Sequence, residues 1–212
     1  MFTKPNCVLV LAPHTDDGEF GCGGTIAKFT SQNIPVYYCA FSACQQSVLK
    51  DFPSDILITE VKKATSELGI PKENLILYDF EVRTFNYHRQ EILDKMILLR
   101  ESLKPDLVFM PSINDLHQDH NTIAIEGLRA FKFSSILSYE VPWNNLSFNT
   151  SAFIHLSEQN LQLKIEALKQ YKSQQHRSYA NEDFIRSWAR MRGVQIGAQY
   201  AETFDIIRWV LI

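Results

Sequence analysis

Apolar residues along this chain fall into two rhythms that alternate from its start. Cys7-Val8-Leu9-Val10-Leu11-Ala12 is an unbroken apolar run, the pattern of a strand covered on both faces. Val36–Phe41, Leu75–Tyr78 and Leu107–Met110 repeat it. Between these runs the apolar spacing turns helical. Gly23, Gly24 and Thr25 open a short helix to about Gln32, with Ile26, Ala27 and Phe29 inward and Asn33 and Pro35 as stops. Ser54 or Asp55 caps a second helix to Leu68, closed by Gly69 and Pro71. Arg89–Leu103 is the clearest, with Ile92, Met96, Leu99 and Leu103 on one face and Lys104-Pro105 behind it.

The second half reads similarly. A loop from Pro111 to Asp119 leads into a helix from about His120 to Phe131. Ile136–Tyr139 and Phe153–Leu156 read as strands, and Leu161–Tyr171 as a helix. Asn181, followed by Glu182 and Asp183, starts a helix reaching Val194, and Phe204–Leu211 forms a last strand or edge. The alternation predicts an α/β fold, Rossmann-like, with a mostly parallel sheet and helices on both faces. In the doubly wound order 3-2-1-4-5, strands 1 and 4 are neighbours that the chain leaves in opposite directions, and ligands bind at the carboxyl ends of that crevice. Whatever follows strand 4 should therefore face the loop His14–Glu19.

Composition narrows the picture. The chain has 212 residues, 45% hydrophobic and 21% charged, which suits one domain over residues 1–212, with no linker-like stretch to divide it. Net charge is −3 with both signs scattered, so neither a nucleic-acid stripe nor a polybasic membrane segment is present. No apolar run approaches the ~20 residues of a membrane span. The amino terminus lacks a signal peptide's cleavage pattern. Cys7, Cys22, Cys39 and Cys44 make neither CxxC spacing nor a disulfide framework. A cytoplasmic protein is expected; the sequence leaves its oligomeric state open and is compatible with a homo-oligomer.

The chemistry concentrates where the topology would bring it. Strand 1 runs into Pro13-His14-Thr15-Asp16-Asp17-Gly18-Glu19, and strand 4 into Asn114-Asp115-Leu116-His117-Gln118-Asp119-His120. A catalytic zinc site needs three imidazole or carboxylate ligands and an open position for water. His14, Asp17 and one of His117 or His120 supply such a set. Position at the start of a helix favours His120, although spacing alone leaves both open. Asp16 would then stand beside the ion without binding it, where a general base is needed. His117, if not a ligand, can protonate a leaving group or stabilise an oxyanion, and Asp119 can orient it. These residues point to a metal-dependent hydrolase.

The two segments resemble the paired motifs of the PIG-L/LmbE-like deacetylases, zinc enzymes that remove N-acetyl groups from amino-sugar derivatives. His14-Thr15-Asp16-Asp17-Gly18-Glu19 is similar to the family's His-Pro-Asp-Asp-Glu, and His117-Gln118-Asp119-His120 to its His-x-Asp-His. Weaker similarity covers Gly21–Ile26, Glu60–Gly69, Lys164–Gln174 and Ala201–Phe204. The resemblance implies Zn2+ on His14, Asp17 and His120, Asp16 as the base, and His117 as the oxyanion-stabilising or acid group oriented by Asp119. It implies a small-molecule partner, an N-acetylated sugar or sugar conjugate. Three departures stand out. Thr15 replaces a proline, Gly18 is inserted before Glu19 and leaves that residue's role open, and Leu57 occupies the place of a substrate arginine for which Arg83 can substitute.

Other readings of the same residues are weaker. His14, Asp16 and Asp17 can cap a helix, but that leaves His117 and His120 unexplained. Gly21, Gly23 and Gly24 do not complete G-x-G-x-x-G, and an acidic pair would repel a pyrophosphate. His88, His155 and His176 have no partner spacing, and Cys22 reads as packing. Trp143 either stacks on a sugar or anchors its loop, and Tyr171, Ser173 and Gln174 are equally undecided. Phe153, Trp188 and Trp209 are assigned to the core. The rivals are the same hydrolysis on a non-sugar N-acyl substrate, or a non-catalytic carbohydrate- or nucleotide-binding module. A metal phosphoesterase would need more carboxylate ligands.

Overall fold

The computed structural model describes residues 4–210. Its strands are β1 (Val8–His14), β2 (Val36–Ser42), β3 (Leu75–Leu77), β4 (Leu107–Pro111), β5 (Ser135–Tyr139), β6 (Ala152–Leu156) and β7 (Tyr200–Arg208). Its helices are α1 (Asp17–Ser31), α2 (Ile56–Glu67), α3 (Arg89–Leu103), α4 (Gln118–Ala130), α5 (Glu158–Lys169) and α6 (Glu182–Val194). The sheet order is β3-β2-β1-β4-β5-β7-β6. The first five strands are parallel, and β7 runs antiparallel to both β5 and β6. This is the α/β, mostly parallel architecture that the alternation predicts, with β1 beside β4.

Alternate residues of each central strand enter different cores, which explains the unbroken apolar runs. Val8, Val10 and Ala12 pack with α1 and α2. Leu9 and Leu11 pack with Ile92 and Met96 of α3 and Ile123 of α4. A third cluster joins Phe20 to Leu161 and Ile165 of α5 and Ile185 and Trp188 of α6. Among the described residues, no helix is long and apolar enough to cross a membrane.

Four expectations need correction. The first helix begins at Asp17, not Gly23, because its glycines serve close packing rather than a loop. A Cβ at Gly18 would meet the Tyr38 ring at 2.5 Å, and one at Gly21 the Tyr139 ring at 2.3 Å. The fourth helix begins at Gln118, with His117 as its cap, so His120 lies within the first turn. The last strand begins at Tyr200, earlier than expected, and Leu211 lies outside the described residues. Trp209 is 44% exposed rather than buried, and Phe153 is only half-buried, while Trp188 is in the core as expected.

The early start of α1 carries a break. Cys22 leaves the helical region, at φ −147° and ψ 23°. Such a break would orphan backbone groups in the interior. Lys164 donates to the Phe20 carbonyl at 2.7 Å and to Glu202 Oε1 at 2.6 Å. Glu202 in turn accepts the N–H groups of Gly24 at 3.0 Å and Thr25 at 2.7 Å. The ammonium also lies 4.9 Å from the centre of the Trp188 ring. This buried ion pair closes both broken ends and fixes the half-helix that presents Asp17. Lys164→Met should leave Glu202 buried without its counter-charge and cost ~3–5 kcal/mol, read as a lower urea midpoint. A loss below ~1 kcal/mol would remove the pair from this role.

Candidate metal centre

The carboxyl ends of two adjacent parallel strands meet in the crevice. His14 ends β1, Asp17 opens α1, His117 caps α4, and His120 follows in the first turn of α4. Three atoms converge there. His14 Nδ1 lies 3.1 Å from Asp17 Oδ2, His120 Nε2 lies 3.2 Å from the same oxygen, and the two nitrogens are 3.3 Å apart. Ligands of a tetrahedral ion at bond lengths of about 2.0–2.1 Å are separated by about 3.3 Å. The triangle therefore fits three corners of a tetrahedral divalent site.

A looser group joins His14, His120 and His117, with ligand atoms within 4.8 Å of one another. The triangle of His14, Asp17 and His120 is the tighter of the two groups. Its sides match the coordination distance, and His117 Nδ1 is already engaged, accepting the Asp119 N–H at 3.2 Å.

Electrostatics favour positive charge at the same point. Burial alone would raise Asp17, but His120 and His14 hold its pKa well below the usual carboxylate range. Burial opposes charge on His120, yet Asp17 and Asp115 outweigh it and hold the pKa up at about 10. His14 is raised in the same way, burial being overcome by Asp17 and Asp119. Protons and a metal ion would compete for this place, so metal binding would release protons.

Each imidazole is held from behind. His14 Nε2 meets Asp119 Oδ2 at 3.0 Å, and His120 Nδ1 meets Asp115 Oδ2 at 2.8 Å. A carboxylate behind one ring nitrogen directs the other towards a metal and strengthens it as a ligand. Both carboxylates are buried and anchored. Asp119 accepts the N–H of Arg83 at 2.6 Å, and Asp115 that of His117 at 2.8 Å. Asp119 thus orients His14 and not His117, whose Nδ1 is 4.0 Å from its carboxylate. A bond to the helix N–H has taken that nitrogen instead. Asp115, read only as part of a loop, is a positioning residue that sequence reasoning missed. Its place five residues before His120 is no recognised ligand spacing.

Asp16 borders the triangle without joining it. It occupies the cap position of α1, yet its side chain makes no capping hydrogen bond. Burial and then Asp17 push its pKa up to about 6, against the pull of His14 and Arg177. His117 is shifted the other way, to about 4, by burial and by the neighbouring His14 and His120. Beneath the turn, Glu19 is fully buried against the hydroxyls of Tyr38 and, at 2.8 Å, Tyr171. Both hydroxyls also reach the Thr15 carbonyl, at 2.9 and 2.6 Å. Glu19 therefore buttresses the ligand turn, and Tyr171 belongs to that support.

The site opens into a cavity of about 390 Å³. Trp143 lines it, but its ring stacks on Tyr179 with centroids 3.8 Å apart and planes 6° from parallel, so one face is taken. Arg83 also lines it, and Leu57 stands in the wall where a substrate arginine was expected. Gln174, Arg177 and Tyr179 complete that side, and of these only Gln174 drew notice in the sequence. Their segment is tied down by buried Glu60, which accepts the Ser173 N–H at 3.0 Å and its hydroxyl at 2.6 Å. His88, His155 and His176 take no part in the cluster.

The chain is similar to known proteins in sequence and in fold. The model of the family "PIG-L: GlcNAc-PI de-N-acetylase" matches residues 9–131, which includes both motif segments. The diacetylchitobiose deacetylase of Thermococcus kodakarensis is 24% identical over 234 residues, covering 100% of this chain and 86% of its own. Among solved structures, the N,N'-diacetylchitobiose deacetylase of Pyrococcus horikoshii, in complex with an inhibitor, superposes with a TM-score of 0.81 at 22% identity, over 96% of this chain and 84% of that one. The 4-carboxy-2-hydroxymuconate hydratase GalB of Pseudomonas putida KT2440 also reaches 0.81, at 16% identity, over 98% of each chain.

The carboxylates behind the imidazoles can be tested directly. Asp115→Asn and Asp119→Asn should each lower divalent-metal affinity about 10- to 100-fold, measured by competition with a chelator. Unchanged affinity in both variants would deny them the orienting role.

Proposed function

The chain belongs to the PIG-L family and is a hydrolase of carbon–nitrogen amide bonds, and from that premise we propose that it removes the N-acetyl group of an amino-sugar derivative in a zinc-dependent reaction. The observation that carries this reading is the position of Asp16, beside the His14–Asp17–His120 triangle and, among the described residues, engaged neither as a side-chain cap nor in a salt bridge. His14, Asp17 and His120 would hold the ion, which when bound supplies Lewis-acid polarisation and a nucleophilic water at neutral pH.

The remaining chemistry falls to the side chains. Asp16, with its pKa pushed up to about 6, is ionised at neutral pH and still basic enough to take a proton from the attacking water. Attack on the acyl carbon puts negative charge on the former carbonyl oxygen. His117 suits that oxygen: its Nδ1 accepts the Asp119 N–H, so the neutral ring carries its proton on Nε2. With its pKa held down near 4, His117 stays a neutral hydrogen-bond donor rather than a general acid. The leaving amine then receives its proton from Asp16 as the C–N bond breaks, giving acetate and a free amino sugar.

Asp16→Ala should keep stoichiometric zinc and lose most turnover, by about 10²- to 10⁴-fold. The check is acetate release from a panel of N-acetylated sugars and non-sugar amides, with metal content measured in parallel. Undiminished turnover in Asp16→Ala overturns the base assignment. Acetate released only from the non-sugar amides would move the substrate class away from sugars. Loss of activity on chelation, restored by zinc, is expected; a protein that ignores chelators refutes the metal dependence.

A further inference from the structure

Glu140 is a buried carboxylate that the reaction above does not use. It directly follows β5, at 5% exposure, and its partners lie on α6. Trp188 donates its indole N–H to Glu140 Oε2 at 2.8 Å. Arg192 donates Nε to the same oxygen at 3.0 Å and Nη2 to Oε1. Trp188 and Arg192 stand four residues apart, on one face of the helix. Among the described residues, none of α6 lines the cavity. A buried pair of this kind adds little net stability over apolar groups of the same size. What the planar guanidinium fork adds is orientation, because it fits a carboxylate in one geometry.

The segment that Glu140 roots leads to both halves of the site. Residues 141–145 close on themselves: the Asn145 N–H donates to the Val141 carbonyl at 3.0 Å, and the Val141 N–H to Asn145 Oδ1 at 2.7 Å. On one side of this turn Trp143 enters the cavity, stacked on Tyr179. The centre of its ring lies 5.2 Å from that of Phe20 and 6.4 Å from that of Trp188. On the other side Asn145 forms an antiparallel bridge with Asp115, and the Asn144 carbonyl accepts the Leu116 N–H at 3.2 Å. Asp115 is the carboxylate behind His120. One short turn thus walls the cavity and backs a residue of the ligand triangle.

We propose that Glu140 is a positioning residue: through Arg192 and Trp188 it fixes the 141–145 turn, and with it both the Trp143 wall and the Asp115–His120 contact. In this way α6, which supplies neither a ligand nor a cavity residue, sets metal affinity and substrate affinity together. The metal half of the inference stands on the geometry alone, and the substrate half rests on the amino-sugar deacetylase reading.

The test uses Glu140→Gln, which keeps an acceptor for Trp188 but removes the charge facing Arg192. Arg192→Lys keeps the charge but not the fork. Arg186→Ala is the control, since it removes contacts of the same helix to Glu158 and Glu182 without touching the turn. Zinc affinity is read by chelator competition, and KM and kcat are read at saturating zinc with the methyl glycoside of N-acetylglucosamine. Glu140→Gln should lower zinc affinity and raise KM by about 2- to 30-fold each, with kcat nearly unchanged and Arg192→Lys intermediate. In a double-mutant cycle with Asp115→Asn, the combined loss of zinc affinity should fall short of the sum, because both changes act on His120. Arg186→Ala should lower the urea midpoint and leave both constants in place. Unmoved constants in Glu140→Gln, one constant moving without the other, or equal changes in Arg186→Ala each overturn the inference. If no N-acetylated sugar is deacetylated, that reading fails by itself, and zinc affinity with the cycle still decides the role of Glu140.

Discussion

One carboxylate oxygen of Asp17 lies within 3.2 Å of two imidazole nitrogens, and most of the carboxyl edge of the sheet is arranged to keep it there. Burial by itself works against charge on Asp17 and on both imidazoles. Asp17 instead favours positive charge on both imidazoles and they favour its charged form, an arrangement that is stable only if geometry forbids the groups to separate. Forbidding it takes three layers of support. Asp115 and Asp119 fix the rings from behind, Glu19 with Tyr38 and Tyr171 fixes the turn from below, and Lys164 with Glu202 fixes the broken helix that carries Asp17. Each support is itself polar and buried, and each has its partners. The site is thus a network in which removal of one member strands another.

The architecture was legible in the chain because its signals are redundant. Arg89–Leu103 has helical spacing, a clear stop and a left-handed Lys104 at its end, and its limits agree with the sequence pattern to the residue. The strands announced themselves by apolar runs, and their order placed the two motif segments face to face before any distance was known. What failed were features with no local signal. Four glycines between Gly18 and Gly24 look like a loop, yet they allow α1 to approach Tyr38 and Tyr139. Nothing nearby in sequence reveals that Lys164 and Glu202, far along the chain, will close the break at Cys22.

The site was legible to the same extent. Residue types at the right ends of adjacent strands brought His14 and Asp17 together with the His117–His120 segment, since only the topology had to be right. Partner choice was not legible, because Asp119 has two histidines within reach and helix capping decides which ring it meets. His117 Nδ1 is consumed by the Asp119 N–H, leaving the carboxylate to His14. Arg177 and Tyr179 were invisible for another reason. They enter the cavity from a segment without regular structure, fixed by a contact between Glu60 and Ser173 more than a hundred residues apart.

Fold alone does not choose the reaction, since a hydratase superposes on this chain as well as a deacetylase does. The proposed reaction turns on how the cavity treats two titratable groups, Asp16 and His117. Asp16 and His117 border the same triangle, but Asp16 has a carboxylate beside it and is pushed up to about 6, whereas His117 faces two imidazoles and is pushed down to about 4. Had both been left at their ordinary values, Asp16 would be a weak base and His117 part-charged near neutrality. In the proposed reaction, this separation would let one accept a proton and the other donate a hydrogen bond without giving its proton up. The proposed amide hydrolysis would use both: a base for the water, which can return the proton to nitrogen, and a fixed donor for the oxygen that becomes charged. In that reading, the burial of Asp16 beside Asp17 without a side-chain capping bond has a use that a binding module would lack.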